Sequence, residues 1–254
     1  MKFSYEDLIS GDAIFVKGIG HFRSPLLKEL KPSGGMDSWT YQLYLNILSW
    51  DKKQCLDFMK ILTKRKLTKL EENDKITTFD TMTIIDQSRE LLHSAMAFFL
   101  QEEVKWDKVS RVFVTYSPGD DTAVGTISRD NFEEVRDMML QLNYISIGES
   151  AAPVQHSSAK AKELWERSQQ YLKEQGSKSS KDKNYTFGNI VSKLCAANTG
   201  YTLFNIYDLT IFQLYDQFFQ YGYLRAMNLN EMAFSNHGGE KFDMQAWLKP
   251  ILKI

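Results

Sequence analysis

The chain has 254 residues, 43% of them hydrophobic and 25% charged, with a formal net charge of -1. That apolar content is ample for one large or two small domains, and the near-balance of charge removes any whole-molecule pull toward nucleic acid or anionic membrane. No run approaches the roughly 18 apolar residues of a membrane span. The opening Met1-Lys2-Phe3-Ser4-Tyr5-Glu6-Asp7 turns acidic where a signal peptide turns apolar. The two cysteines, Cys55 and Cys195, form neither a disulfide framework nor a CxxC metal site, so a cytoplasmic protein is expected.

Ser4 caps a short helix over Tyr5 to Ile9, and Gly11 stops it. Ala13 to Val16 reads as a strand, and Gly18 and Gly20 bracket a turn into a second short strand around His21 to Arg23, a hairpin. Ser24-Pro25 is an N-cap and first-turn pair for a helix through Leu30, which Lys31-Pro32-Ser33-Gly34-Gly35 ends. Helices come next over Trp39 to Ser49 and Lys52 to Thr63, the second capped by Asp51. The periodicity then predicts one long helix from Asp80 to about Val104, with Ile84, Ile85, Leu91, Leu92, Ala95, Phe98 and Phe99 as its buried stripe. Thr77, Thr78 and Thr81 weaken its start.

The period changes in the middle of the chain. Arg111 to Tyr116 alternates like a strand, Pro118-Gly119-Asp120-Asp121 is a turn, and Thr122 to Ile127 is a partner strand, giving a second β-hairpin. Ser128 caps Arg129 to Asn143, where Phe132, Val135, Met138, Met139 and Leu142 keep helical spacing. From Gly148 the chain is rich in Ser, Ala and Gly. Ala159 to Gln175 is polar on most sides, and Gly176 to Asn184 has no apolar anchor, which reads as an exposed helix between mobile joints. Tyr185 to Ala197 is a helix with Ile190, Val191 and Leu194 inward. Thr210 caps a run whose apolar and aromatic groups surround the helix, more than one buried face requires. Asn236-His237-Gly238-Gly239 breaks it, and Phe242, Met244, Trp247 and Leu248 form an apolar tail.

The expected fold is therefore mainly α with two small β-hairpins. It comprises an N-terminal α+β domain over 1–147, a linker with a polar helix over 148–184, and a C-terminal helical unit over 185–254, so that two helical units are joined by an exposed helix.

Tests for chemistry leave no catalytic, cofactor or metal site. His21, His93, His156 and His237 form no HxH, HExxH or HxxxE pattern, so structural or surface roles are expected of them. Gly18 and Gly20 make a GxG without the third glycine and long following helix of a dinucleotide site. Pro118-Gly119-Asp120-Asp121 lacks the carboxylates of a calcium loop. Glu102-Glu103 and Glu133-Glu134 point about 100° apart on a helix and read as solvated faces. Cys55 and Cys195 read as buried thiols. The basic cluster Lys60, Lys64, Arg65, Lys66 and Lys69 has no interleaved aromatic residues and lies beside an acidic run, so it reads as a charged helix end and nucleic acid is not an expected partner.

There remains the aromatic density between Tyr201 and Tyr223. Core and interface are both open readings of it, because Tyr and Phe dominate cores and are enriched at interfaces. As a partner-binding set it comprises Ile211, Phe212, Tyr215, Phe218, Phe219, Tyr223 and, in the tail, Trp247.

Two stretches resemble a known family. Gly200-Tyr201-Thr202-Leu203-Phe204-Asn205-Ile206-Tyr207-Asp208-Leu209-Thr210-Ile211-Phe212-Gln213-Leu214-Tyr215, a helix, and then His237-Gly238-Gly239-Glu240-Lys241-Phe242-Asp243-Met244-Gln245-Ala246-Trp247-Leu248-Lys249-Pro250 look like tail assembly chaperones of long-tailed bacteriophages of Gram-positive hosts. The hairpin and following segment from Gly11 to Leu30 resemble the same group, whereas Arg111 to Asn143 has no counterpart there. The resemblance implies a non-enzymatic morphogenesis protein of the host bacterial cytoplasm. It would coat the tape-measure protein, recruit tail-tube subunits and be absent from the mature particle, corresponding to the longer, frameshift-extended form. A homo-oligomer is compatible with it. The alternatives are a structural component of the virion, a host-directed inhibitor, or an enzyme built on His21, Asp12 and Glu29 near the first hairpin.

Overall fold

The structure, a computed structural model, describes residues 2–30, 36–63, 75–145, 187–197 and 200–237. The described chain divides into two units. The first holds the described residues up to 145 together with Tyr207–Gln213, and the second holds the rest. The segment Tyr207–Gln213, placed by sequence with the C-terminal unit, thus packs in the first. The linker over 148–184, the basic residues Lys64, Arg65, Lys66 and Lys69, and Trp247 lie outside the described residues.

The first unit starts with α1 (Tyr5–Ser10). Ser4 and Asp7 cap it reciprocally, and Gly11 closes it at φ 77, a left-handed position that a side chain would strain. Strands β1 (Ile14–Val16) and β2 (Gly20–Phe22) form the expected hairpin, with Phe15 opposite His21. The helix expected after Pro25 is instead a single 3-10 turn over Leu27–Leu30. Its first residues are engaged elsewhere. Leu26 bridges antiparallel to Thr210, the Leu27 amide donates to the Leu209 carbonyl at 2.8 Å, and the Leu26 amide donates to the Glu29 carboxylate at 2.7 Å. A long-range pairing has displaced a local helix.

Helices α2 (Ser38–Ser49) and α3 (Lys52–Thr63) form as predicted, and Asp51 caps α3 by accepting from the Gln54 amide at 2.8 Å. The single long helix does not form. It is α4 (Thr78–Thr83) and α5 (Asp86–Phe99), with Ile85 extended at φ -109 and ψ 135 between them. The Ser88 hydroxyl holds the break by donating to the Met82 carbonyl at 2.7 Å, and Ile84, expected inside, is exposed. A buried serine competing for backbone carbonyls is a signal that hydrophobic periodicity does not register.

A second difference from the sequence expectation lies at the end of that segment. Glu103–Asp107 is not helical but the first strand, β3, of a three-stranded antiparallel sheet with β4 (Val112–Tyr116) and β5 (Ala123–Ile127) in the order β3-β4-β5. The second expected hairpin is therefore part of a meander, and the architecture is a mixed α/β one in which helices predominate. The inner face of the sheet presents Val104, Phe113, Thr115 and Ile127, all buried, alternating with exposed or half-exposed neighbours as the period of two requires. Phe113 meets Trp106 at 4.8 Å between ring centroids, and Phe79 meets Phe132 at 5.3 Å. Helix α6 (Phe132–Gln141) contributes Phe132, Val135, Met138 and Met139 to this core, as predicted.

The hairpin is fastened to the sheet through backbone. The Thr126 amide donates to the Gly18 carbonyl at 2.9 Å, and a Cβ placed on Gly125 would stand 2.0 Å from that same oxygen. Gly125 is therefore a point of close approach at which no side chain fits.

In the second unit, α7 (Phe187–Ala196) buries Ile190, Val191 and Leu194 as predicted. Helix α8 (Ile211–His237) begins in the first unit with Ile211 to Gln213 and continues in the second from Leu214. Thr210 caps it, accepting from the Gln213 amide at 3.1 Å while the Gln213 side chain accepts from the Thr210 amide at 2.9 Å. Among the described residues no helix is long and apolar enough to cross a membrane.

Candidate functional site

One polar constellation lies at the base of the first hairpin. Glu102 lies in the bend immediately before β3 and is buried, with its side chain only 3% exposed, whereas Glu103, the first residue of the strand, is exposed. This overturns the reading of both acids as solvated. The Glu102 carboxylate accepts from the His21 amide at 2.8 Å and meets His21 Nδ1 at 2.7 Å. A Cβ on Gly20 would fall 2.4 Å from that carboxyl group. Engaging Nδ1 leaves Nε2 as the outward-facing nitrogen of a half-exposed imidazole, against which the exposed Phe15 ring tilts at 4.9 Å. His21, Asp12 and Glu29 are not assembled. Glu29 binds Arg23 at 2.7 Å, and among the described residues no hydrogen bond or ion pair links the three. His93 faces inward, with Nε2 toward the Val104 carbonyl and its ring stacked on Phe113 at 6.2 Å. The Cys55 thiol is pushed up to about 12 by burial and so stays protonated and unreactive, whereas Cys195 is partly exposed.

The aromatic helix resolves the two readings of its residues position by position. Ile211 and Phe212 are completely buried, with Phe212 between the rings of Tyr5 (6.4 Å) and Tyr144 (5.1 Å) in the first unit. They are core and offer no surface. Tyr215 is half-buried against Phe187 at 5.9 Å, and burial raises its hydroxyl above the ordinary tyrosine value. Phe218 and Tyr223 are half-buried, and Phe219 is exposed. Beyond Tyr223, Leu224, Leu229, Met232 and Phe234 are all exposed.

The residues that sequence reasoning overlooked lie just before this helix. Residues 200–206 form a compact turn opened by Gly200 at φ 86. The Asn205 side chain accepts from the Thr202 amide at 2.7 Å, the Phe204 amide donates to the Thr202 hydroxyl at 3.3 Å, and the Ile206 amide donates to the Thr202 carbonyl at 3.0 Å. Ile206 anchors the turn inward, completely buried, while Leu203 and Phe204 stand outward at 62% and 95% exposure. A phenylalanine displayed almost in full on a hydrogen-bonded turn removes little apolar surface from water and so adds little to the fold. The signal available in sequence was Gly200-x-Thr202-x-x-Asn205, a turn pattern whose two central positions face solvent. Next to it the Tyr201 hydroxyl is raised by burial and by the charge of the buried Asp216.

Residues 178–252 match the family model of the YomV second domain, a phage-associated family, over under a third of the chain. No curated protein and no solved structure matches the chain.

Proposed function

We propose that this chain is a non-enzymatic phage protein that works by holding other proteins, as a tail assembly chaperone that binds the tape-measure protein and recruits tail-tube subunits in the host cytoplasm. The observation that carries the binding half is the outward display of Leu203 and Phe204 on a hydrogen-bonded turn, within the stretch that matches a phage-associated domain. Large apolar side chains held rigidly lose little conformational freedom on docking and make efficient anchors for a partner pocket. The exposed Phe219, with the half-buried Phe218 and Tyr223, offers further apolar surface on α8 in the same unit. The tail-assembly half is supported by the sequence resemblance and by the phage association of the matched domain.

The test is coexpression with the tape-measure and tail-tube proteins of the same phage. Both should be captured by the wild-type chain, and Phe204→Ala should weaken capture about tenfold or more, the effect of losing an anchor residue. Recovery of the chain in purified virions would instead favour a structural component. Failure to retain either partner, with the protein folded, would sink the proposal.

A further inference from the structure

The first unit is completed by a piece of chain from far along the sequence. Residues 146–206 separate Ile145 from Tyr207, yet Tyr207–Gln213 belongs to the first unit. There its residues are engaged in several different ways. The Leu209 carbonyl accepts from the Leu27 amide at 2.8 Å, and the Ile211 amide donates to the Pro25 carbonyl at 2.9 Å, on either side of the Leu26–Thr210 bridge. Ile211 and Phe212 are completely buried, Phe212 between the Tyr5 and Tyr144 rings. The Gln213 side chain donates to the Ile9 carbonyl at 2.8 Å, in the last turn of α1. Carbonyls at a helix end have no partner within the helix, so this bond supplies one from outside. Gly11 leaves the room for it. A Cβ there would stand 2.9 Å from Gln213 Nε2 and 3.2 Å from Thr210 Cγ2.

A bound peptide is recognised in the same way: main-chain bonds along an edge fix its direction, and pockets for particular side chains fix its sequence. Each of these contacts is made within the first unit. We propose that the end of α1, Pro25–Leu27 and the Tyr5 and Tyr144 rings form a docking groove for the chain's own Leu209-Thr210-Ile211-Phe212-Gln213. The groove holds the polypeptide that follows residue 186, so the connection over 146–186 is not needed for the attachment. Phe212 is the anchor, since an aromatic ring enclosed in a pocket carries the largest share of such binding. Thr210 fixes the start of α8 by accepting from the Gln213 amide at 3.1 Å, and Gln213 sets the register by reaching Ile9. Leu203 and Phe204 lie on the polypeptide so held, and the docking stands whether or not these two residues bind a phage protein.

Cutting the folded full-length chain tests it. A sequence-specific protease site inserted between residues 148 and 184 allows the connection to be severed, with complete cleavage read on a denaturing gel. The two wild-type fragments should still elute together on native size exclusion, and their separation overturns the proposal. Phe212→Ala should weaken the association of the cut fragments by about a hundredfold or more, the effect of emptying a buried aromatic site. Gln213→Ala, at a half-buried position, should weaken it by about five- to tenfold through lost hydrogen bonds. Fragments that stay together equally well in both variants are held by other surfaces, and the groove assignment fails. An uncut chain that elutes as a dimer, and as a monomer only with Phe212→Ala, would give the segment to a second copy and overturn the assignment to its own chain. Hydrogen exchange in uncut Gln213→Ala keeps the result readable if Phe212→Ala fails to fold. The Leu27 amide, bonded to Leu209, should exchange about fivefold faster while the α5 amides keep their rates. An unchanged Leu27 rate counts against the proposal, and so does equal acceleration in α5, which would make the segment part of one indivisible core.

Discussion

Helix α5 and the second half of α8 are each about four turns of mixed apolar and polar residues, and they differ in what surrounds them. On α5, Leu92, Ala95, Met96 and Phe99 recur at i, i+3, i+4 and i+7 and are all buried, while Gln87 and Glu90 face solvent. On α8, Leu224, Leu229, Met232 and Phe234 point in different directions round the axis, and all four are exposed. Two segments of similar composition thus have different fates. A single stripe can be covered by one set of neighbours, whereas apolar groups on several sides require neighbours on each. Apolar content measures how much a helix has to bury, and spacing indicates whether one packing partner can do it.

The largest effect separating the two helices should come from Leu92→Ala. Its side chain is completely buried, so removal should cost about 2–5 kcal/mol, read as a lower denaturation midpoint in urea. A loss under about 1 kcal/mol would mean that the α5 stripe is not core. Next comes Gly125→Ala, which drives a methyl group against the Gly18 carbonyl and should cost about 1–3 kcal/mol, the range for overpacking. Retained stability there would break the account of how the hairpin is fastened to the sheet.

The third effect depends on pH. Cys55 has its thiol raised from 9.0 to about 12 in the folded chain. Between these values the unfolded thiol has lost its proton and the folded one has kept it, so the folded state binds more protons and stability falls as pH rises. The slope should approach about 1.4 kcal/mol per pH unit from the onset near pH 9, with full stability below it. Cys55→Ala should flatten that slope, and an unchanged slope would assign the loss to other groups. The smallest effect is expected from Leu224→Ala, on the exposed side of α8. It should change stability by no more than about 0.5 kcal/mol, and a larger cost would show that this side too has a neighbour.

Much of the fold was legible in the amino acids because local rules and tertiary structure agreed there. Ser4 and Gly11 bound α1, Asp51 and Thr210 cap their helices, and the five apolar positions of the segment after Ser128 are all buried. Legibility failed where a contact distant in sequence overrode a local preference. Leu26 and Leu27 pair with residues 209 and 210 rather than completing a helix, and Glu103 and Val104, expected at the end of a helix, begin the strand Glu103–Asp107 instead. The candidate site divides in the same way. Tyr215, Phe218, Phe219 and Tyr223 were visible as an aromatic run, while Ile211 and Phe212 were equally visible and are buried. Leu203 and Phe204 were hidden in that run until the turn pinned by Thr202 and Asn205 separated them from the residues that face inward.

The amino acids alone determined the helical predominance, the capped ends, the first hairpin and the aromatic density near the C-terminus, because each depends on residues within a turn or two of one another. Tertiary structure alone decided that Glu102 is buried against His21, that the middle hairpin is part of a three-stranded sheet, and which aromatic residues are core and which are displayed. Burial is a property of what arrives from elsewhere in the chain, and no local pattern encodes the arrival.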